Sequence, residues 1–421
     1  MIRNGIGTAR KPSIAYFSME IGLVNDIPTY SGGLGVLAGD TVKSAADMRM
    51  PLIAVSLLYR KGYFRQEVTA EGKQVEFPVD WRPEDFMQRL PNTVKIQIEK
   101  QRVVVGAWQY EVKSITGGVV PVLFLDTDLP ENSPENREIT AVLYGGEAAY
   151  RLKQEVVLGI GGYRILEDLG LEIRRYHMNE GHASLLTLEL LRRFKKPLEL
   201  VWDEKLVWDL EAVREHCVFT THTPVAAGHD KFDYGLVTKI LGDEIPLDVL
   251  KPLAGEDALN MTLLALNLSN YVNGVAKKHG EVSKKLFPGY EFQSITNGVH
   301  SFTWTCPSFK RLYDRYLPGW ANEPEQFVRV DNVPNEEIWT AHMEAKLGLL
   351  EEIQRRGKVA LNPEVFTVGF ARRFTAYKRA DLIFSDPGRL ASIAQRRPIQ
   401  IVFAGKAHPH DEPGKKLIES I

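Results

Sequence analysis

Short apolar runs alternate with polar segments at the start of the chain. Ile14 to Met19 and Leu52 to Tyr59 are apolar runs of the length of buried strands. Between them, a loop rich in glycine and proline precedes Val36 to Met48, where apolar residues recur at helical spacing. The order strand, loop, helix, strand predicts an α/β domain.

The same domain is predicted to continue with antiparallel strands and a glycine-containing helix. Polar and apolar residues alternate from Thr93 to Val112, which predicts antiparallel strands, and Val119 to Leu125 is apolar throughout, as in a fully buried strand. The helical pattern from Arg151 to Leu169 contains Gly159, and glycine there predicts close packing against a neighbour.

Two further predicted strands, Cys217 to Thr221 and Phe292 to Ile295, end in polar turns that contain His222 and Asn297. Ligands bind beyond the carboxyl ends of strands in parallel sheets. These turns are therefore candidate parts of a site, although a lone histidine in such a turn is more often structural.

The character of the sequence changes near residue 304. A stretch rich in Pro, Trp and charge precedes a predicted helix from Glu336 to Arg356, and strands are predicted at Val365 to Phe370 and Gln400 to Ala404. We therefore predict two domains, 1–303 and 304–421. The second contains one βαβ unit and the start of another, so we expect a doubly wound sheet that is incomplete within these residues.

The composition excludes several classes of protein. The 421 residues include 52 Lys and Arg against 54 Asp and Glu, a net charge of −2, so no broad basic field attracts nucleic acid or an anionic membrane. Two cysteines, a poor signal-peptide pattern at the start and no apolar window of roughly 18 residues favour a cytoplasmic protein.

Two glycine- or cation-rich loops could bind anions. The loop Ser31-Gly32-Gly33-Leu34-Gly35 opens a helix, which suits a phosphate or sugar, although a structural tight turn and a dinucleotide site are alternatives. Cations cluster after the predicted strand at 365–370, at Arg372, Arg373, Lys378 and Arg379, with Gly405-Lys406 after the next strand. They predict a local anion clamp, and a solvated charged face is the alternative.

Histidine pairs give only weak metal signals. His177 and His182 are five positions apart and lack the zinc-protease pattern, and His408-x-His410-Asp411 is a second weak candidate. Hydrogen-bonded polar structure is the alternative for both, and we predict no metal site.

These motifs together resemble the α-glucan phosphorylases, the glycogen and maltodextrin phosphorylase family of retaining glycosyltransferases, in the shorter bacterial and archaeal form. The resemblance spans nearly the whole chain and rests on motifs in the family's order: Tyr16-Phe17-Ser18-Met19-Glu20, Gly32-Gly33-Leu34-Gly35, Arg151-Leu152-Lys153-Gln154-Glu155, Asn179-Glu180-Gly181-His182, Thr221-His222-Thr223, Val272-Asn273-Gly274-Val275-Ala276, Thr296-Asn297-Gly298, Arg373-x-x-x-Tyr377-Lys378-Arg379 and Gly405-Lys406.

The resemblance implies a fold, a reaction and a set of site residues. The fold would be two Rossmann-like domains of the glycosyltransferase B architecture. The reaction would be transfer of the terminal glucosyl unit of an α-1,4-glucan to orthophosphate, giving α-glucose 1-phosphate with retention. Carried over by motif, His222, Arg373 and Lys378 would be catalytic, Gly33, Leu34, Asn179, His182, Asn297 and Tyr377 would bind substrate, and Arg372 and Trp304 would bind cofactor.

The implied cofactor is pyridoxal 5'-phosphate, which acts through its phosphate in this family. The family's cofactor lysine lies in a Ser-Gly-Thr-x-Asn-Met-Lys motif that these residues do not contain, so we expect a truncated or split form whose attachment site is missing here. A homodimer and a separate C-terminal polypeptide are further expectations. Gly145-Gly146-Glu147 stands where animal relatives carry a longer gating loop, so allosteric control of that type is not expected.

Two other functions remain open. A nucleotide-sugar-dependent glucan synthase would share the architecture and the Gly-Gly-Leu-Gly loop, although the His222 and Asn179 motifs favour a phosphorylase. An inactive glucan-binding fragment that pairs with a separate chain is the alternative from another class.

Overall fold

The computed structural model of the chain describes residues 11–201, 204–242, 245–357 and 359–421. The first ten residues, where part of the poor signal-peptide pattern lies, are outside these ranges. The strands are β1 Ile14–Ser18, β2 Leu52–Leu57, β3 Arg65–Val68, β4 Gln74–Phe77, β5 Gln88–Ile98, β6 Gln101–Lys113, β7 Val119–Asp126, β8 Arg175–Asn179, β9 Cys217–Thr221, β10 Lys231–Asp233, β11 Ala258–Asn260, β12 Tyr271–Gly274, β13 Gln293–Ser294, β14 Phe366–Ala371 and β15 Ile399–Ala404. The α-helices are α1 Gly33–Asp47, α2 Pro134–Arg137, α3 Ala148–Val156, α4 Gly162–Asp168, α5 Leu186–Arg193, α6 Leu210–His216, α7 Tyr234–Leu241, α8 Leu247–Ala254, α9 Met261–Asn267, α10 Lys277–Leu286, α11 Ser301–Trp304, α12 Pro307–Tyr316, α13 Asn335–Gly357, α14 Pro387–Arg396 and α15 Glu412–Ser420.

The described chain divides into two compact units. The first unit comprises the described parts of 1–63 and 79–299, and the second comprises 64–78 and the described parts of 300–421. The hairpin β3–β4 thus belongs to the second unit, although its sequence interrupts the first. The domain boundary predicted between residues 303 and 304 stays a prediction.

A nine-stranded sheet organises the first unit, in the order β13-β12-β9-β8-β1-β2-β7-β6-β5. In this spatial order, the strands from β13 through β7 are parallel to their neighbours. β6 and β5 then extend the sheet as antiparallel strands. The α/β class predicted from the sequence is confirmed. The carboxyl ends of β1, β8 and β9, which are adjacent, lie side by side at one edge of the sheet.

Alternate residues of the central strands enter hydrophobic cores on opposite faces of this sheet. Phe17 and Leu125 pack in the larger core, while Tyr16 and Phe124 pack in a second core with Val42 of α1. A central strand of a parallel sheet buries both faces, which explains why β1, β2 and β7 are apolar runs.

The predicted helix at 151–169 is interrupted by a π-helical turn at Val157–Gly161, between α3 and α4. A Cβ atom on Gly159 would lie 2.7 Å from the backbone nitrogen of Leu186. The predicted close packing is therefore present, and it is made against the segment that follows β8.

In the second unit β14 and β15 pair in parallel, from Phe366 opposite Ile399 to Ala371 opposite Ala404. A small core of Phe374, Ala380 and Ala407 lies beyond the carboxyl ends of these strands. No helix among the described residues is both long enough and apolar enough to cross a membrane.

Candidate active site

Glu20 holds the glycine-rich loop in front of α1. This carboxylate follows β1, is 3% exposed, and accepts hydrogen bonds through Oε2 from the backbone nitrogens of Ser31 at 2.6 Å and Gly32 at 3.1 Å. The backbone N–H groups of Gly33 and Leu34 lie in the first turn of α1 and therefore have no acceptor within the helix. They can donate to the oxygen atoms of a ligand, and Gly33 is exposed.

The protonation of His222 is fixed by a chain of hydrogen bonds. The Ser18 hydroxyl donates to the Glu20 carbonyl at 2.7 Å, so its oxygen accepts from Asn179 Nδ2 at 3.0 Å. Asn179 Oδ1 therefore faces His222 Nε2, 2.6 Å away, and Nε2 must carry the hydrogen. Nδ1 is left as an acceptor that has no hydrogen-bond partner among the described residues. Burial lowers the pKa of His222, which keeps the ring neutral.

Glu180 supports the turn that carries His222. Its Oε2 accepts from the backbone nitrogens of His222 at 2.8 Å and Thr223 at 3.1 Å, and its φ angle of 70° is uncommon for a residue with a side chain. Burial opposes its ionisation, but the neighbouring His222 and the N–H groups keep the pKa of Glu180 below its usual range. The strained backbone aims this carboxylate at the next turn rather than at solvent.

A buried ionic cluster lies beside these turns. Arg151 donates to Glu155 Oε1 at 3.0 Å and to Asp230 Oδ2 at 3.0 Å. Burial and then the charge of Asp230 raise the pKa of Glu155 well above its usual range, so Glu155 is the protonated member. Although burial opposes it, the guanidinium of Arg151 lowers the pKa of Asp230 to about 2. The Arg151 guanidinium therefore faces one carboxylate, Asp230, and one neutral carboxylic acid, Glu155.

His182 and Tyr144 connect this cluster to the glycine-rich loop. His182 Nε2 lies 3.4 Å from Asp230 Oδ2, and burial followed by the charge of Arg151 lowers its pKa to about 4. The Tyr144 ring lies 4.5 Å from the Arg151 guanidinium, and its hydroxyl donates to Glu20 at 2.9 Å. Neutral imidazoles, amides and N–H groups thus line one edge of the sheet. This set of donors and acceptors suits the hydroxyl groups of a sugar better than an anionic ligand.

In the second unit the predicted cations follow β14. Arg372, Arg373 and Tyr377 are exposed, and Lys378 Nζ lies 4.7 Å from the Tyr377 ring. Across the described ranges none of these three cations forms an ion pair with a carboxylate. Lys406, expected from the sequence to join them, instead donates to the Phe64 carbonyl at 2.6 Å.

The predicted residues thus fall into separate groups. Gly33, Leu34, Asn179, His182 and His222 are joined to one network in the first unit, whereas Asn297 is exposed in the loop after β13, and no described contact joins its side chain to that network. Trp304, Arg372, Arg373, Tyr377 and Lys378 belong to the second unit, and Trp304 is 58% exposed at the end of α11. The roles assigned to these residues stay predictions.

Sequence reasoning gave no role to the residues that support the site. Glu20, Tyr144, Arg151, Glu155 and Asp230 form its buried framework. One signal was present, because Arg151 and Glu155 are four positions apart beside the apolar Leu152 and Val156. Within the ranges that the structure describes, no three His, Cys, Asp or Glu side chains are grouped so as to hold a metal ion.

Comparison with known proteins shows to which family the chain is related. The family model described as carbohydrate phosphorylase matches residues 24–130 and 243–421. A maltodextrin phosphorylase from Thermococcus litoralis is 39% identical over 97% of this chain and 52% of its own length. Glycogen phosphorylases from Mycobacterium bovis and Aquifex aeolicus are 38% and 35% identical, over 99% and 98% of this chain and 54% and 65% of their own lengths.

The chain therefore spans between about half and two thirds of each of these relatives, and the alignments cover nearly all of it. The family match includes both the glycine-rich loop before α1 and the cation cluster after β14. The chain belongs to the carbohydrate phosphorylase family.

Proposed function

We propose that the chain carries residues of an α-1,4-glucan phosphorylase, which transfers the terminal glucosyl unit of a glycogen or maltodextrin chain to orthophosphate. The product is α-glucose 1-phosphate, formed with retention at the anomeric carbon. The relatives are maltodextrin and glycogen phosphorylases, which supports glucan substrates, and the chemistry of the described residues supports the two parts of the reaction separately.

The observation that carries the proposal is the set of unpaired cations after β14. Arg372, Arg373 and Lys378 have no carboxylate partner within the described part of the chain, although acidic residues slightly outnumber basic ones in the sequence. Cations held at the carboxyl ends of parallel strands suit an anionic co-substrate. Orthophosphate meets that requirement, whereas a hydrolase that uses water would not need them.

The network in the first unit suits the sugar. His222 presents Nδ1 as an acceptor to a hydroxyl group, while the N–H groups at Gly33 and Leu34 can donate to hydroxyl oxygens. A neutral ring accepts such a bond without placing a second positive charge near the glucosyl group. Asn297, in the loop after β13, would contribute a further amide to the hydroxymethyl group.

Three carboxylates of the first-unit network argue against a double displacement in which one of them is the nucleophile. Glu20 and Glu180 are each occupied by backbone N–H groups, and Asp230 is bound to Arg151. A glucosyl group leaves through an oxocarbenium-like state. A phosphate held by Arg373 and Lys378 would stabilise that charge and donate the proton that the leaving glucan oxygen requires.

Pyridoxal phosphate fits these residues only in part. The exposed, unpaired Arg372 suits a phosphate group, and Trp304 offers an exposed ring. Two lysines of the same unit are occupied, because Lys406 donates to a carbonyl and Lys415 pairs with Glu76 at 3.1 Å. We therefore assign the steps above to the chain's own residues. The cytoplasmic location, the homodimer and the separate C-terminal polypeptide stay predictions.

The test measures phosphorolysis and its alternative in parallel. The purified chain is incubated with maltodextrin and phosphate, and ³¹P NMR follows α-glucose 1-phosphate; a second reaction contains ADP-glucose in place of phosphate. We expect product only with phosphate, and at least about a tenfold lower rate for His222→Gln because a hydrogen bond to the transition state is lost. His216→Gln is the control, since the described contacts of His216 are a hydrogen bond to Ala212 in its own helix and a ring contact with Phe194, both outside the His222 network.

Glucosyl transfer from ADP-glucose without phosphorolysis would identify a glucan synthase and overturn the proposal. Maltodextrin binding without either reaction would instead favour the inactive glucan-binding fragment.

A further inference from the structure

The hairpin β3–β4 packs on the loop that follows β15, although it is encoded more than three hundred residues earlier. Gln74, at the start of β4, and Ala407 are 333 positions apart. The side chain of Gln74 is 8% exposed, so its amide group needs partners within the protein. Two of its four partners are backbone groups of this loop, and the other two are side chains of the hairpin.

The amide of Gln74 is fully used. Its Oε1 accepts from the Ala407 nitrogen at 2.9 Å and from Gln66 Nε2 at 2.8 Å. Its Nε2 donates to the Ala407 carbonyl at 3.0 Å and to Glu76 at 2.8 Å. Gln74 therefore binds both backbone polar groups of Ala407, as a neighbouring strand would.

The two residues before Ala407 are held by the same hairpin. Gln66 Nε2 donates to the Gly405 carbonyl at 3.0 Å, and Lys406 Nζ donates to the Phe64 carbonyl at 2.6 Å. Three consecutive loop residues, 405 to 407, are thus tied to residues 64–78. Such a concentration of contacts fixes the path of this loop rather than merely covering it.

This loop in turn fixes the segment that carries Arg373. The nitrogen of Phe374 donates to the Lys406 carbonyl at 2.9 Å, and the nitrogen of Arg372 donates to the Ala404 carbonyl at 3.1 Å. A Cβ atom on Gly405 would lie 1.9 Å from the Arg372 carbonyl oxygen, so the two backbones are in close contact. Arg373 therefore lies between Arg372, which is bonded to the last residue of β15 and touches Gly405, and Phe374, which is bonded to the loop.

We propose that Gln74 is a positioning residue for the orthophosphate clamp. Its amide fixes Ala407, and the loop fixes the backbone beside Arg373 through the bond from Phe374 to Lys406 and the contact of Gly405 with Arg372. Arg373 is thereby presented to phosphate without a direct partner of its own among the described residues. This role rests on the proposed function, and it adds to the site a residue from a hairpin that sequence reasoning did not identify.

A matched glutamine near the amino ends of β14 and β15 provides the control. Gln400, near the start of β15, donates through Nε2 to the Asn362 carbonyl at 2.9 Å and to Thr367 Oγ1 at 2.8 Å. Its Oε1 accepts from the Asn362 nitrogen at 3.2 Å. Gln400→Met removes the same kind of side-chain bonds as Gln74→Met, but away from the loop and from Arg373.

The experiment measures binding of inorganic phosphate to the whole chain by calorimetry, with thermal unfolding recorded for each variant. We expect both methionine variants to lower the melting temperature, whereas only Gln74→Met should raise the phosphate dissociation constant, by about fivefold or more. Arg373→Ala should raise the same dissociation constant by about tenfold or more. If Gln74→Met does not fold, Gln66→Met carries the test with the same expected direction. It removes the bonds from Gln66 to Gln74 and to the Gly405 carbonyl.

The outcomes separate this role from the proposed function. An unchanged dissociation constant in the folded Gln74 or Gln66 variant, with binding weakened in Arg373→Ala, would overturn the positioning role alone. Equal weakening by Gln400→Met would show a general structural effect and also overturn it. Absence of phosphate binding by the unaltered chain would overturn the proposed function and this role with it.

Discussion

Two acidic side chains in the cluster around Arg151 have opposite ionisation states. Glu155 is fully buried and lies near Asp230, whose negative charge adds to burial in raising its pKa, while Asp230 is the carboxylate that remains ionised. Because a buried cation is stable only with a compensating charge, Asp230 carries the electrostatic part of the pair and Glu155 supplies a neutral acceptor.

We therefore expect unequal effects from two isosteric substitutions. Glu155→Gln keeps a neutral group with an acceptor for Arg151, so it should change the free energy of unfolding at pH 7 by less than about 1 kcal/mol. Asp230→Asn removes the anion that faces a buried guanidinium and should cost about 3 kcal/mol. Urea unfolding of both variants measures the difference, and a larger cost for Glu155→Gln would contradict the assigned states.

The pH dependence provides an independent check of the same assignment. The pKa of Asp230 is lowered to about 2 in the folded chain, so between pH 4 and pH 2 the unfolded chain binds more protons at this group. Its contribution is present above pH 4 and is lost as the pH falls, by about 2 kcal/mol in the unaltered chain. Asp230→Asn should lack that loss, whereas Glu155→Gln should retain it.

At the scale of elements, the π-helical turn between α3 and α4 backs the segment that carries Glu180 and His182. Gly159 and Gly161 both lie in this turn, yet their surroundings differ. A Cβ atom on Gly159 would meet the Leu186 backbone nitrogen at 2.7 Å, whereas one on Gly161 would meet the Val105 methyl groups at 3.6 Å, an ordinary contact.

Alanine substitutions should separate these two glycines. Gly159→Ala forces the turn away from the start of α5 and should destabilise the chain by about 1–3 kcal/mol. Gly161→Ala meets no such obstacle, and because alanine favours helix it should be neutral or stabilise by up to about 1 kcal/mol. Thermal unfolding compares the two, and equal melting temperatures would contradict the packing described for Gly159.

The elements that the sequence predicts are those whose pattern follows directly from burial. β1, β2 and β7 are apolar runs because both of their faces are covered, and β5 alternates because one of its faces is exposed. β8 was not predicted, since Arg175 and His177 interrupt its buried residues. The hairpin β3–β4 was not predicted for a related reason, because its key buried group is the amide of Gln74 rather than an apolar side chain.

At the scale of the whole molecule, the site depends on proximity that no local pattern contains. The glycine-rich loop and the turns at His222 and Asn297 could be identified because they follow strands. Asp230 could not be, since its partner Arg151 lies 79 positions away and only the fold brings them together. The two units are also interleaved in sequence, because residues 64–78 interrupt the first unit and pack in the second.

The near-zero net charge of the molecule bears on how the proposed phosphate substrate would be bound. With a formal charge of −2 the chain has no broad positive field, so anion affinity depends on local cations, above all Arg373. Arg373→Ala should raise the phosphate concentration needed for half-maximal phosphorolysis by about tenfold or more, since it removes a charge-assisted hydrogen bond. It should leave the melting temperature nearly unchanged, because no described carboxylate loses a partner.

The control is Arg389→Ala, which removes a surface cation of α14 in the same unit. It should change the phosphate concentration needed for half-maximal phosphorolysis by less than about twofold. Equal effects of the two substitutions would mean that phosphate responds to overall charge, and the clamp after β14 would then be wrong.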